Sequence, residues 1–567
     1  VARHASVHAA GVVIADKPLT EYTPLQRETN GDKIITQYDM YTVGEDGVGL
    51  LKMDFLGLRN LTIIEEALNF IKVNKGKTID LSNLPLDDKK TYDLLSQAET
   101  TGIFQLESAG MRRYIKDLRP TSIFDLMAMV ALYRPGPMAN IPEFIARKRN
   151  ASLIKLPDPR LKDALAQSYG MLVYQDDVLL TTIAIAGYTW LDADKFRKAM
   201  GKKIPADMKK QKEQFIKGSV ANGLSEKKAE QIFNLIAPFA GYGFNKAHAA
   251  CYATIAYRTG YLKANYSVEF MTALLTAESR GASGPIKNEK IAQAVAECKR
   301  LNIEVLPPNI NKSGSDFTIE NKEKIRFGLS AIKNVGEAAI GSILEHKSKG
   351  DFKSFEDFCE RVDLSAINKK TIESLIKAGA MDIFGNRAHL LSTYPDIVDG
   401  INKKKKQTSQ GQESLFGDDV SDNGKISRPA IDDFTSHEKL AFEKEFLGFY
   451  LTSHPQMQNL MAIKSIISHD LEFLEEEKEG QVVKIGGIIE TARKIFTKKT
   501  GAEMAFITIG DEKGIVVECI VFPKIYEQYK YLIMKDSLII LEGKVDTKND
   551  RPIIIAEKIS TLQVSPS

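Results

Sequence analysis

Cysteine is scarce and scattered in this chain. The four thiols, Cys251, Cys298, Cys359 and Cys519, form no CxxC pair. Neither a disulfide framework nor a zinc site is expected, and a reducing, cytoplasmic setting fits. Long apolar runs are missing as well. No stretch approaches the ~20 residues of a membrane span and no secretory signal opens the chain, so no membrane partner is expected. An initiating methionine is also lacking: the first residue is Val1, and residues 7–14 already read as structured core, the pattern expected of a truncated gene product. Nor is there a large excess of one charge. A net charge of +3 says little about partners, because the charge is unevenly spread. Residues 194–217 hold nine Lys/Arg against three acids, a patch that reads either as a phosphate-facing surface or as a solvated helix face.

What is present is length and ordinary globular composition. At 567 residues, with 43% hydrophobic and 27% charged residues, the chain exceeds one core, and three to five domains are expected. Residues 1–60 alternate short apolar runs with turns (His8–Ile14, Lys33–Tyr38, Gly49–Phe55), as at the edge of a mixed sheet. From Leu61 to about Glu278 the pattern is mainly helical, broken by clusters such as Tyr133-Arg134-Pro135-Gly136-Pro137-Met138. A second helical region, about 285–395, contains two similar hairpin units. Residues 401–430 are polar, lysine-rich and then acidic, and read as an exposed linker interrupted by Leu415-Phe416. The tail shows β-runs at Val482–Glu490, Glu503–Gly510, Ile515–Phe522, Ser537–Val545 and Ile553–Ile559, with a helical segment Pro523–Leu532 after the third. Five strands with a helix in that place predict an OB-fold barrel.

The first candidate for chemistry is Leu50-Leu51-Lys52-Met53-Asp54-Phe55-Leu56. On a strand, Lys52 and Asp54 share one face, and Leu51, Met53 and Phe55 are expected to point into the core. A carboxylate beside an ammonium suits a metal–triphosphate site, the acid holding Mg²⁺ and the lysine neutralising phosphate. A surface ion pair on an edge strand is the alternative from spacing alone.

The run GLLKMDFLGLRNLTII, preceded by HAAGVVIAD, resembles the end of the palm in the C-family replicative polymerases, the bacterial DNA polymerase III alpha subunits. The resemblance continues in order through TTGIFQLESAGMRRYIKDLRP, ALYRPGPM, YQDDVLL, DADKFRKAMGKK and FAGYGFNKAHAACYA, covering nearly the whole chain. It implies a multidomain α+β protein. The parts expected are the end of a nucleotidyltransferase-like palm (1–60), helical fingers (61–284) and a clamp-binding domain with helix-hairpin-helix (285–400). They continue with a linker carrying a clamp-binding motif (401–430), a connecting helical segment (431–480) and the OB-fold (481–562). It further implies that Asp54 is the third carboxylate of a two-metal Mg²⁺ site and that Lys52 lies near the triphosphate. The family's other two aspartates form a D-x-D upstream. Asp192-Ala193-Asp194 has that spacing but opens a helical run, where acids cap an N-terminus, so the chain is expected to begin after two of its metal ligands.

By the same resemblance Arg197 and Lys198 match the basic pair of the fingers and are expected to contact the triphosphate, where cations meet charge that grows in the transition state. For Lys202 and Lys203, template-backbone attraction and general solvation stay open. In Gly241-Tyr242-Gly243-Phe244-Asn245-Lys246, which enters a helix bearing His248 and Tyr252 one turn apart, the glycines permit close approach and an aromatic can stack on a base. His248 reads alone as a structural histidine; the resemblance puts it near the nascent base pair.

Residues Phe327–Ala339 resemble a helix-hairpin-helix unit with Val335-Gly336 as the hairpin, whose N–H groups would accept a DNA phosphate. A second unit, Phe355–Ile376, lacks the glycine turn and reads also as a structural hairpin. Gln412-Glu413-Ser414-Leu415-Phe416 resembles the pentapeptide that docks bacterial proteins on the sliding clamp: Leu415 and Phe416 would fill a pocket and Gln412 would bond at its rim. In the barrel, Arg493, Lys494, Lys498 and Lys499 crowd the first strand connection around Phe496, either as a single-strand contact or as a solvated loop.

The expected function is therefore DNA-directed DNA polymerisation in chromosomal replication, with primed DNA, dNTPs and the sliding clamp as partners. Exonuclease and clamp-loader subunits follow by resemblance. The alternative is a non-catalytic DNA- and clamp-binding module. A DNA ligase also combines hairpin and OB elements, but its K-x-D-G motif is missing: Lys52-Met53-Asp54 is followed by Phe55.

Overall fold

The computed structural model describes residues 7–8, 10–28, 31–44, 47–202, 205–281, 285–409, 431–452, 457–497, 501–511, 515–548 and 551–561. It divides into two compact units, Val1–Thr62 and Ile63–Ser567. In the first, strands β1 (Gly11–Ile14), β2 (Leu25–Arg27) and β3 (Ile34–Thr36) precede a one-turn helix α1 (Met40–Val43) and strand β4 (Leu51–Asp54). The Asp39 carboxylate starts α1 by accepting from the N–H groups of Tyr41 and Thr42. The strands form two antiparallel ribbons, β1 with β4 and β2 with β3. One expectation fails here. Leu51, Met53 and Phe55 are 59%, 44% and 62% exposed, not core. The alternation is as read, but a two-stranded ribbon has no second layer of its own to cover its apolar face.

The second unit is mainly helical ahead of its C-terminal barrel. In order come α2 (Arg59–Lys75), α3 (Lys89–Ser96), α4 (Ala109–Leu118), α5 (Ile123–Leu132), α6 (Ile141–Arg149), α7 (Gln175–Ala186), α8 (Trp190–Lys202), α9 (Pro205–Ala221), α10 (Glu226–Tyr242), α11 (Lys246–Asn265), α12 (Ser267–Gly281) and α13 (Pro285–Arg300). One core joins α3–α6 to α11. Its centre is α5, whose IFDLMAMVAL sequence is apolar nearly all round and is buried from Asp125 to Leu132. It packs on α11, whose buried small residues Ala249, Ala253 and Ala256 let helices approach closely. A separate core joins α7–α10 around an aromatic cluster of Phe196, Phe215 and Phe233.

A third core gathers α2, α12 and α13 with the segment that follows them. That segment holds a three-stranded sheet that the helical reading missed: β5 (Val305–Leu306), β6 (Thr318–Glu320) and β7 (Lys324–Arg326), in the order β5-β7-β6. Strands of two or three residues are too short to show alternation. Helices α14 (Glu337–Lys347), α15 (Phe355–Arg361), α16 (Lys369–Lys377) and α17 (Arg387–Ser409) follow. The last runs on into the stretch read as linker. Beyond it lie α18 (Ser436–Phe446) and α19 (Met457–Ile463).

The chain's tail folds as expected. Strands β8 (Val482–Phe496), β9 (Glu503–Gly510), β10 (Val516–Val521), β11 (Leu538–Lys548) and β12 (Arg551–Ser560), with α20 (Pro523–Tyr529) after the third, close a barrel in the order β10-β12-β11-β8-β9. Closure comes from the parallel β10–β12 pair, which leaves no free edge. Inward residues such as Ile485, Ile507, Cys519 and Ile554 fill its core. Among the described residues no helix is long and apolar enough to cross a membrane.

Candidate functional site

In the first unit the register pairs Gly11 with Asp54 and Val13 with Lys52, so the acid and the lysine share a face as read. Lys52 Nζ donates to Asp54 Oδ1 at 2.7 Å, and that bond holds the Asp54 carboxyl below its ordinary range. His8, which the sequence reading left without a role, stands beside them: its Nδ1 is 3.9 Å from Asp54 Oδ1. The same nitrogen accepts from the N–H groups of Ala10 and Gly11, at 3.2 and 2.7 Å. A nitrogen that accepts carries no proton, so the His8–Asp54 approach is not an ion pair through Nδ1. Gly11 keeps the corner open, because a Cβ there would lie 2.9 Å from His8 Nδ1 and 3.2 Å from Asp54 Oδ1. Asp54 offers one hard oxygen ligand of the kind Mg²⁺ takes. Among the described residues no group of three or more His, Cys, Asp and Glu is placed to enclose a metal ion.

In α8 the pair read as capping divides. Asp192 takes part in the cap from the first turn: Thr189 Oγ1 accepts from the Asp192 N–H at 3.2 Å and donates to Asp192 Oδ2 at 2.6 Å. Asp194 does not. Lying within the helix, it faces residues three and four positions on, accepting from Arg197 Nη2 at 2.8 Å and sitting 3.3 Å from Lys198 Nζ. Those two cations hold its carboxyl down, Arg197 foremost. The basic patch is thus partly neutralised from inside, and Lys212 is likewise closed onto Glu230. The side chain of Lys202 and the whole of Lys203 lie outside the described residues.

At the start of α11, Asn245 caps the helix by accepting from the His248 N–H at 2.8 Å. His248 is exposed, and its ring lies against Tyr252 at 4.1 Å between centroids and against Phe244 at 5.1 Å. The column extends both ways: Phe104 meets Tyr252 at 5.0 Å, and the Arg134 guanidinium lies 4.8 Å above the Phe244 ring. The spacing of 244, 248 and 252 made part of this legible. Arg134 and Phe104 arrive from distant loops and carried no such signal.

At the hairpin, Val335 is buried and Gly336 exposed. Gly336 occupies the N-cap of α14 without a capping side chain, which leaves the first N–H groups of that helix open. The arm before it is only a 3-10 turn, Leu329–Ala331. The second unit has two true helices, α15 and α16. Asn368 caps α16 through Thr371, and the hydroxyl of Thr371 donates to the Asn334 carbonyl of the first hairpin. Its helix end is satisfied and its contact is internal, which favours the structural alternative.

In the barrel, Arg493 and Lys494 belong to strand β8 itself, opposite Phe506 and Ala505 of β9, rather than to a connection. The strand runs past the expected end because a bulge between Ile489 and Thr491 bends it without ending the pairing. Lys494 is 2.5 Å from Glu503, with its ammonium 5.7 Å from the ring of Phe496, which is 63% exposed. Lys498 and Lys499, like Gln412, Leu415 and Phe416, lie outside the described residues.

With this geometry in hand, comparison with known families is specific. Residues 1–57 match the bacterial DNA polymerase III alpha NTPase domain and residues 60–223 the finger domain of the same subunit. Residues 302–390 match a helix-hairpin-helix motif and 483–562 an OB-fold nucleic acid binding domain. DNA polymerase III subunit alpha of Thermus aquaticus is 40% identical over 99% of this chain and 45% of its own length. The proteins of that name from Borreliella burgdorferi and Escherichia coli O157:H7 are 39% and 38% identical, over 99% and 96% of this chain and 48% of their own lengths. The chain therefore spans about half the length of the curated relatives it matches, and it belongs to the bacterial DNA polymerase III alpha-subunit family.

Proposed function

We propose that this chain serves DNA-directed DNA polymerisation in replication, the transfer of deoxynucleotides from dNTPs to a primer 3′-hydroxyl. The observation that carries the reading is alignment along 99% of the chain with a polymerase alpha subunit, together with a Lys52–Asp54 pair poised on one strand face. Asp54 is the metal ligand. Bound Mg²⁺ would supply charge neutralisation for the triphosphate and the 3′-oxygen. Lys52, Arg197 and Lys198 are the cations for phosphate charge, the last two tied to Asp194 along the same helix. His248, with the Tyr252 ring tilted against it and Phe244 edge-on, is the residue for the base. Phosphates of the primed template are held at the open N–H groups after Val335-Gly336 and, for the single strand, by Arg493 and Lys494 beside Phe496, with Lys498 and Lys499. Gln412, Leu415 and Phe416 are the sliding-clamp anchor; exonuclease and clamp-loader subunits complete the partners.

A second reading, a DNA- and clamp-binding module without chemistry of its own, is favoured by one observation: among the described residues the side chains beside Asp54 are Lys52 and His8, and neither is a carboxylate. Both readings require DNA binding. Affinity for primed DNA is expected to fall with salt by roughly 0.7–0.9 log units per log salt for each phosphate held. Fluorescence anisotropy across a salt series tests this, and a flat, weak affinity would remove both readings at once.

A further inference from the structure

Outside the residues assigned above, the body of the fingers carries another basic surface. Helices α4 and α6 meet at their C-terminal ends. Lys148 Nζ donates to the Arg119 carbonyl at 2.6 Å, and the Arg149 guanidinium donates to the carbonyl of Asp117. Arg113, Lys116, Arg119 and Arg149 are all exposed there. Their neighbours are already used: Lys148 is closed onto buried Asp125 at 2.8 Å and Arg147 onto Glu143 at 2.6 Å. By contrast, among the described residues no carboxylate pairs with Arg113, Arg119 or Arg149, and the acid within the group is Asp117. Arg119 adds a backbone observation. It closes α4 at φ 47° and ψ 72°, its N–H donating to the Ile115 carbonyl. That left-handed position favours glycine or asparagine, yet here it presents a guanidinium to solvent.

We propose that Arg113, Lys116, Arg119 and Arg149 form a binding face for the phosphodiester backbone of DNA, separate from the hairpin and the barrel. Among the described residues no carboxylate occupies the planar donor forks of Arg113 and Arg119, and Arg149 keeps the N–H groups it does not spend on the Asp117 carbonyl; a phosphate takes such a fork with two parallel hydrogen bonds. Along α4, which rises ~1.5 Å per residue, Arg113 to Arg119 spans about 9 Å. That length covers more than one phosphate step of a strand at ~3.4 Å along the duplex axis. The inference rests on the polymerase reading, because it takes the polyanion to be DNA. The same chemistry is offered by the primer–template duplex and by the single-stranded template.

The test is the triple variant Arg113→Gln, Arg119→Gly and Arg149→Gln in the full 567-residue chain, with Arg119→Gly alone beside it. Glycine is the residue the C-cap favours, so that single variant removes the guanidinium without straining the fold, and thermal melting checks both proteins. Anisotropy is read on a blunt duplex, a primed template and a single-stranded oligonucleotide between about 50 and 200 mM salt. Losing three phosphate contacts is expected to make the salt slope shallower by about two and to weaken binding at least tenfold at ~100 mM. For Arg119→Gly alone the slope is expected to change by somewhat less than one. A loss confined to the duplex, or to the single strand, names the source of the phosphates. Unchanged affinity and slope on all three DNAs, in variants that melt like the parent, would overturn the proposal and leave the polymerase reading standing. Failure of the parent chain to bind any of them would overturn that reading instead.

Discussion

Two buried ionisable groups, Lys263 and Asp177, show how differently a charge can be kept inside. Lys263, at the C-terminal end of α11, spends its three N–H bonds on the carbonyls of Glu99 and Thr101 and on Glu297, at 2.7, 2.8 and 2.5 Å. Burial still pushes it down, to about 8. For Glu297 burial works upward, but Arg300 and Lys263 outweigh it and hold the carboxyl low. Asp177, three residues into α7, has no cation bonded to it among the described residues. Its Oδ2 accepts from the N–H groups of Val173 and Tyr174, each at 2.8 Å, and desolvation raises it to about 6. A carboxyl raised in the folded state binds its proton more tightly there than in the unfolded chain. Its contribution is present below the unfolded value near 3.8 and is lost as pH rises through about 6. Asp177→Asn keeps an acceptor for both N–H groups and removes the titration. The stability of the parent relative to this variant is therefore expected to grow as pH falls from about 6 to 4, by up to about 3 kcal/mol. Paired thermal melts across that range measure it, and a difference that does not move with pH would show that Asp177 is not the group responsible.

At the scale of elements, legibility followed length and periodicity. Five barrel strands and their helix were readable because runs of six or more residues alternate, and Cys519 or Ile507 cannot change face without a register slip. Strands β5 to β7 were not, being two or three residues long. In β4 the face was read correctly for Lys52 and Asp54 but not the burial of Leu51, since alternation tells which residues share a side and not what covers it. Asp194 was misread for a related reason: whether an acid caps a helix or pairs within it depends on where the helix starts, a boundary that sequence places poorly. The aromatic column needs Phe104 and Arg134, which only tertiary packing brings to Tyr252 and Phe244. The barrel makes its own prediction at this scale. Pairing of β11 with β12 shifts register between Glu542 and Gly543, and a Cβ at Gly543 would lie 2.3 Å from the Ile555 carbonyl oxygen. Because that neighbour is backbone of a closed barrel, relief requires opening the β11–β12 pair. Gly543→Ala is expected to cost about 2 kcal/mol or more and to weaken single-strand binding with it. Chemical denaturation that leaves the variant within about 0.5 kcal/mol of the parent would mean the barrel yields there.

For the molecule as a whole, the question is how much of an active centre these 567 residues carry. Transfer of a nucleotide by two metal ions takes several carboxylates arranged around a pair of ions ~3.5–4 Å apart. In the unit Val1–Thr62 the described side chains at Asp54 are Lys52 and His8, an ammonium and an imidazole. Neither adds a carboxylate, and the imidazole nitrogen that faces Asp54 is committed to two backbone N–H groups. In the proposed function DNA binding would draw on other parts: the hairpin at Val335-Gly336, the barrel strand with Arg493 and Lys494, and the proposed face at the ends of α4 and α6. Binding and chemistry are therefore expected to separate. The chain alone should bind primed DNA and leave the primer unextended at any Mg²⁺ concentration. Joined to the part of an alpha subunit that it does not match, about half of that protein's length, it should extend the primer. In the joined protein Asp54→Asn should abolish extension, by at least about a thousandfold if the carboxylate holds a metal worth several kcal/mol of transition-state stabilisation. Affinity for primed DNA should not change. Asparagine preserves the side chain's shape and its capacity to accept from Lys52, so a loss of activity in a variant that melts and binds normally reports the missing charge. Primer extension by the 567-residue chain on its own, surviving Asp54→Asn, would place the catalytic carboxylates elsewhere in the chain.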